Sequence, residues 1–372
     1  MIDGSVVAYN AAVFISTLFL LEAGADKFVD HTAIVARRTG VPDTLIALLT
    51  AGAEWEELAV VVSALAQGRA PLALGNIVGS AISNILGAFS LGLLFRRKGE
   101  ALQYDGSAHI YSALLLAVTT IIIPATYFPR QDLWRVVGIV LIVAFVVYIG
   151  SVGWAINRGI VVAPEGSDSD SDSSSDDESD AESASSASSS NRRRRPNGEQ
   201  QPLLRPSENF ARRRRGLAYH IGWLFAGFIA ICLSGYVLST AATNVADALG
   251  ASEVLFGIVV LAIGTTLPEK FVAVLSGNRG HGGILVANTV GSNIFLLTLC
   301  LGIVMVGTDG ELGGAGGVEL AELAVLWVST LLFTGTVWTG GRFDRLVGGL
   351  MLVGYIAFIV VEFAVLRRPF DA

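Results

Sequence analysis

Apolar positions along the chain gather into ten runs. Five come first, at 6–21, 44–66, 73–95, 109–127 and 136–156, and five later, at 221–238, 253–275, 284–306, 320–338 and 346–361. A helix rises about 1.5 Å per residue, so roughly 20 apolar residues cross a bilayer core of about 30 Å, and these runs are near that length. The pattern predicts an all-α integral membrane protein with ten transmembrane helices. A polar stretch divides the helices into an N-terminal half (1–156) and a C-terminal half (217–372), with 157–216 as a linker. The first run resembles a signal peptide in length, but Met1-Ile2-Asp3 lacks a basic leader and no small-residue cleavage site follows. It is read as a membrane helix.

Two pairs of runs carry the same stretch. Gly52-Ala53-Glu54-Trp55-Glu56-Glu57 leads on to Gly75-Asn76-Ile77-Val78-Gly79-Ser80-Ala81-Ile82-Ser83-Asn84. Gly264-Thr265-Thr266-Leu267-Pro268-Glu269 leads on to Ala287-Asn288-Thr289-Val290-Gly291-Ser292-Asn293-Ile294-Phe295-Leu296. At one constant offset, Gly52, Glu57, Val60, Val62, Gly68, Asn76, Val78, Gly79, Ser80 and Ile82 all meet identical residues. The copies fall at about 44–95 and about 253–306, the second and third runs of each half. Five helices are an odd number, so the second half enters the membrane from the other face. Two inverted five-helix repeats are expected.

Composition agrees with a membrane protein: 52% of the 372 residues are hydrophobic and 15% charged, with 42 glycines. The net charge of −7 gives no reason to expect a nucleic-acid partner. Cys232 and Cys300 lie inside apolar runs and read as packing residues rather than a disulfide. His31, His109, His220 and His281 stand near segment ends without metal-ligand spacing. Basic residues set the orientation. Lys27, Arg37 and Arg38 follow the first run, Arg96, Arg97 and Lys98 the third, and Arg192–Arg195 and Arg212–Arg215 lie in the linker, which places those loops in the cytoplasm and both termini outside. Arg367 and Arg368 oppose that weakly. The linker opens with serine and acid, Ser167 to Glu178, which cannot bury enough apolar surface to fold. Its later arginines suit anionic headgroups, at about 1 kcal/mol per residue near the surface.

The doubled stretch carries the chemistry. An ionisable side chain deep in a spanning helix costs several kcal/mol unless paired, solvated or ion-bound, so Glu54, Glu56, Glu57, Glu269 and Lys270 must face an interior. Two glutamates at symmetric depth can offer oxygens to one cation near the midplane. A Ca2+ ion takes about six to eight oxygen ligands. Asn76, Ser80 and Asn84 follow one another at one-turn intervals, as do Asn288 and Ser292, and Thr265 and Thr266 precede Glu269, so amide and hydroxyl oxygens are at hand. Pro268 and the glycines allow close helix approach or freed carbonyls. Gly79, Gly291, Val78 and Val290 are read as packing residues. Glu56 points elsewhere round its helix, toward Lys270 or a helix end.

These motifs resemble the sodium/calcium exchanger superfamily of cation/Ca2+ antiporters, whose members have ten helices in two inverted halves. Each half has an alpha repeat of the form G-T-S-x-P-E followed by G-N-x-x-G-S-N. Gly264 to Glu269, Gly75 to Ser80 and Ala287 to Asn293 carry the likeness, which spans the chain apart from the linker. It implies Glu57 and Glu269 as central Ca2+ ligands, with Thr265, Thr266, Ser80, Ser292 and Asn84 at Ca2+ or Na+ positions. The chain departs from the pattern at Ala53, Glu54 and Glu56, where Thr, Ser and Pro are usual, and at Leu296, where many members carry an acid. One turn separates Glu54 from Glu57, so Glu54 is expected to restore the charge that Leu296 removes.

The resulting expectation is a secondary antiporter, not an enzyme and without a cofactor. It exports Ca2+ across the cell membrane against Na+ by alternating access. Proton coupling is the near alternative, with Glu54 and Glu57 sharing one proton because adjacent carboxylates resist ionising together. A Ca2+-regulated scaffold or channel built around the acidic linker is a third reading. Oligomeric state is not specified by any of these features.

Overall fold

A computed structural model describes residues 4–39, 54–97, 102–127, 131–157, 216–308, 317–340 and 343–366. The predicted start of the second run, 44–53, and nearly all of the 157–216 linker lie outside the described residues, and with them Gly52, Ala53 and the linker arginines. The helices are α1 (Gly4–Arg38), α2 (Trp55–Ala66), α3 (Ala70–Leu94), α4 (Gly106–Tyr127) and α5 (Gln131–Asn157). After the linker come α6 (Leu217–Leu249), α7 (Glu253–Thr265), α8 (Leu267–Asn278), α9 (Gly282–Thr308), α10 (Leu320–Thr339) and α11 (Asp344–Val361). The helices before and after the linker belong to one unit rather than to two domains.

Eight of the described helices are long and apolar enough to span a bilayer, and α7 with α8 makes a ninth, bent by 50°. The run 253–275, expected as one helix, is thus two. Pro268 sits in the first turn of α8, where its missing N–H costs nothing, and the chain breaks at Thr266 (φ −89, ψ 17). In the first copy the described residues begin at Glu54, non-helical (φ −81, ψ 78) ahead of α2. α2 has 12 residues and cannot span alone; whether 44–53 complete a tenth crossing lies outside the described residues.

α1 also departs from expectation. Glu22, Asp26 and Lys27 end the apolar run, yet the helix continues to Arg38, because charge on an outer face does not stop a helix packed on its inner one. Its 35 residues reach roughly 50 Å, more than a bilayer core needs. It lies antiparallel on α6, with Asn244 donating to Asn10 at 3.0 Å near one end. Near the other, His31 and His220 are joined Nδ1 to Nδ1 at 3.0 Å. The histidines, unrelated in sequence spacing, are therefore paired by helix packing.

Burial separates centre from rim. Within their most apolar windows α3 is 89% buried and α9 72%, whereas α5 is 17% and α1 22%. The rim helices show large apolar side chains outward, among them Phe19, Ile110, Val146, Phe225 and Val353. A surface of that kind suits lipid tails, not water. Hydrophobic burial cannot hold helices together in lipid, so close approach matters more. Gly75 and Gly257 let α3 and α7 touch backbone to backbone: a Cβ on either would come 2.5 Å from the Val254 carbonyl or 2.6 Å from that of Leu72. A Cβ on Gly79 would overlap the Ile258 carbonyl, which fits the packing role expected for it.

Candidate ion-binding site

Each copy builds one hairpin of helices. In the first, α2 ends at a left-handed glycine, Gly68 (φ 71), and α3 follows; in the second, α8 ends before Gly280 (φ 77) and α9 follows. Midway along α3 and α9 the coil widens into π-helical turns, over Ser83–Phe89 and Phe295–Cys300. Such turns rotate the side chains beyond them and often mark functional sites. The carboxylates of Glu57 and Glu269 lie in the first turns of α2 and α8, where unpaired backbone N–H groups favour negative charge.

The hairpin geometry decides which side chains meet. α2 and α3 run antiparallel, so residues farther before the turn face residues farther after it. Glu57 accepts from Ser80 Oγ at 2.8 Å and from Asn76 Nδ2. Glu54, one turn farther from the glycine, accepts from Asn84 Nδ2 at 3.3 Å. The second copy reaches across to both. Thr265, whose hydroxyl donates to the Leu261 carbonyl at 2.9 Å, stands beside Glu57, and Ser292 stands beside Glu54. Glu54, Glu57 and Glu269 interact with one another and with the Lys270 ammonium. Glu54, Glu57, Asn76, Ser80, Asn84, Thr265, Glu269 and Ser292 are all buried.

Two candidates stand apart. Thr266 is turned toward Lys270, which donates to its carbonyl at 3.0 Å. Asn288 is only half-buried, one turn before Ser292, and does not bond the carboxylates. Glu56, half-buried, interacts with Glu269 and Glu22; Lys270 instead bonds Ser83 and Thr266. Ser83 and Tyr355, which join Lys270 in one network, have no motif that marks them in the sequence.

The carboxylate site lacks donors. Glu54 Oε2, Glu269 Oε2, Asn76 Oδ1 and Asn84 Oδ1 are buried without hydrogen-bond partners. A buried oxygen of this kind costs about 1–3 kcal/mol, and more when charged. Four such atoms in one pair of hairpins call for a positive partner. Among the described residues no three acidic, histidine or cysteine side chains are placed to hold a metal by themselves. Any bound cation must therefore draw on amide and hydroxyl oxygens as well, which suits a hard ion.

Apolar-faced helices, buried acids in duplicated hairpins and an oxygen-rich interior define an integral membrane protein of the ion-exchanger class. The sodium/calcium exchanger protein family matches residues 9–154 and, a second time, residues 219–364, so the chain belongs to that family and carries its domain in each half. Sodium/calcium exchanger MaX1 of Methanosarcina acetivorans is 24% identical, over 96% of this chain and 99% of its own. Two solved structures share the fold. YfkE superposes with TM-score 0.64 at 15% identity, covering 95% of this chain and 91% of its own. The sodium-calcium exchanger NCX_Mj superposes with TM-score 0.55 at 21% identity, covering 95% and 99%.

Proposed function

We propose that this chain is a secondary antiporter that exports Ca2+ across the cell membrane in exchange for Na+, with Glu57, Glu269 and Glu54 as the central ligands. The observation that carries the reading is the set of buried, donorless oxygens on Glu54, Glu269, Asn76 and Asn84. Ser80, Ser292 and Thr265 supply further oxygens from the same two hairpins. The relative from Methanosarcina acetivorans, named for Na+/Ca2+ exchange, points the same way.

The mechanism is competition under alternating access. Ca2+ and the monovalent ion need the same carboxylates, so one displaces the other. States in which the acids are neutralised can reorient between the two membrane faces; the empty, charged state stays trapped by the cost of moving bare charge through a low dielectric. Two halves of opposite orientation would give inward- and outward-open forms of similar energy. In this reading the linker is cytoplasmic and both termini are outside, because arginine runs stay on the cytoplasmic side.

Proton coupling is a second reading, favoured by one specific feature. Glu54 and Glu57 are a single turn apart in the same pocket and repel one another when both are charged. Uptake of radioactive Ca2+ into vesicles tests both. Loading with Na+ should drive uptake; a response to a pH gradient alone identifies the proton, and no uptake under either gradient removes the antiporter assignment.

A further inference from the structure

Lys270 follows Glu269 in the first turn of α8, and its side chain turns back over the break between α7 and α8. The ammonium donates to the Thr266 carbonyl at 3.0 Å, to the Ser83 hydroxyl at 3.0 Å and to the Thr266 hydroxyl. A lysine ammonium has three protons and accepts nothing, so all three are used. The hydroxyls are ordered to receive them. Tyr355 donates to Ser83 Oγ at 2.9 Å, the Ser83 and Thr266 hydroxyls stand 2.9 Å apart, and Thr266 Oγ1 donates to the Ala262 carbonyl at 2.6 Å. The proton of Tyr355 goes to Ser83, that of Ser83 to Thr266 and that of Thr266 to Ala262. Each of the two hydroxyls then keeps one lone pair for the nitrogen.

Oxygen lone pairs converging on one positive centre, with every proton turned away, are what a small alkali cation requires. Gly87, in the wide turn of α3, faces the stem, where a Cβ would lie in contact, 3.4 Å from both Lys270 Cε and Tyr355 Cε1. The break before Pro268 leaves the Thr266 carbonyl open to the ammonium. The same ammonium interacts with Glu269, Glu57 and Glu54. At the offset of the repeat the positions matching Lys270, Thr266 and Ser83 hold Leu58, Glu54 and Phe295, so the device, which joins Ser83 of the first copy to Lys270 and Thr266 of the second, has no symmetric counterpart. One copy has gained a negative charge at Glu54, and the other a positive charge at Lys270.

We propose that the Lys270 ammonium is a tethered cation that fills a monovalent-cation subsite formed by the Thr266 carbonyl and hydroxyl and the Ser83 hydroxyl. The exchanger then couples Ca2+ to fewer free monovalent ions than the same pocket would hold without the lysine. The inference rests on the antiporter reading and specifies the ions that take part in it. It makes Lys270 a determinant of stoichiometry that acts by occupying a site.

Methionine has a side chain that ends where the lysine Cε lies, so Lys270→Met keeps the stem and vacates the nitrogen position. The full-length variant, reconstituted in vesicles, should take up Ca2+ with a Na+ response raised roughly five- to tenfold over wild type, with choline chloride as control, the size of an ordinary site-to-site coupling. Its dependence on Na+ should also be steeper. In detergent, Na+ but not choline should raise the unfolding temperature of Lys270→Met more than that of wild type, a readout independent of transport. Thr266→Val added to Lys270→Met should erase both gains, and Lys270→Arg, which keeps a fixed charge, should show neither. Lys270→Ala carries the same test if Lys270→Met does not fold. A wild type that exchanges Ca2+ beside Lys270 variants with unchanged Na+ transport and thermal responses refutes the tethered cation. A wild type that moves no Ca2+ under any gradient refutes the antiporter reading itself.

Discussion

Glu57 and Glu269 hold matching positions, one residue-turn inside two short helices, but their surroundings differ. Glu57 is bonded by Asn76 and Ser80, while Glu269 Oε2 has no donor. Both are expected to give oxygens to the same ion. Glu57→Gln and Glu269→Gln should each abolish Ca2+ uptake in vesicles while the purified protein stays folded and monodisperse; substantial exchange in either removes the central claim. Glu54 has a subtler role. Asn84 bonds it, Ser292 stands beside it, and Leu296, one turn beyond Ser292, is fully buried where an acid could stand. Glu54→Ser should weaken Ca2+ by roughly tenfold, about 1.4 kcal/mol. Adding Leu296→Asp to it should recover part of that loss, because two acids serving one pocket are coupled and independent sites only add. A double mutant whose losses simply sum, in a Ca2+ titration of transport, would place Glu54 outside the pocket.

At the scale of elements, α3 and α9 are the central pair, and the site depends on how closely their neighbours approach. Gly79 has no space for a methyl group against the Ile258 carbonyl, and Gly277 has none against that of Gly92. Gly79→Ala should push α3 from α7 and destabilise the fold by about 1–3 kcal/mol, the usual range for overpacking. The measurement is the unfolding temperature in detergent, with Gly335→Ala as control, since a Cβ there meets nothing within 4 Å. Equal temperatures for the two variants would mean that the α3–α7 contact yields without cost. The break at Thr266 was legible only as a proline and a threonine pair inside an apolar run. Its use was not legible, because a freed carbonyl acquires meaning from the Lys270 ammonium that folds back onto it.

At the scale of the whole molecule, the linker splits two halves that belong to one helical unit. Deleting most of 157–216 and rejoining the halves with a short flexible segment should leave basal Ca2+ exchange intact, whereas a scaffold or channel run by its acidic stretch should lose function. Protease applied to intact cells should spare the linker if its arginines hold it inside; cleavage there would reverse the orientation.

The sequence by itself determined the membrane class, the duplication and the buried acids with most of the polar side chains packed around them. Those are local signals: an apolar run of bilayer length, a buried acid and a repeated spacing each carry their cost whatever surrounds them. Tertiary structure alone decided which oxygen meets which acid. The antiparallel hairpins hand Asn76 and Ser80 to Glu57 and Asn84 to Glu54, while Ser292 crosses from the second copy. It also joined His31 to His220, extended α1 past its charged residues and moved Thr266 from the carboxylates to Lys270. The physical reason is the same in each case. Helix packing brings together groups far apart in the chain, and in a low-dielectric interior the partner a charge finds there outweighs any preference visible along the sequence.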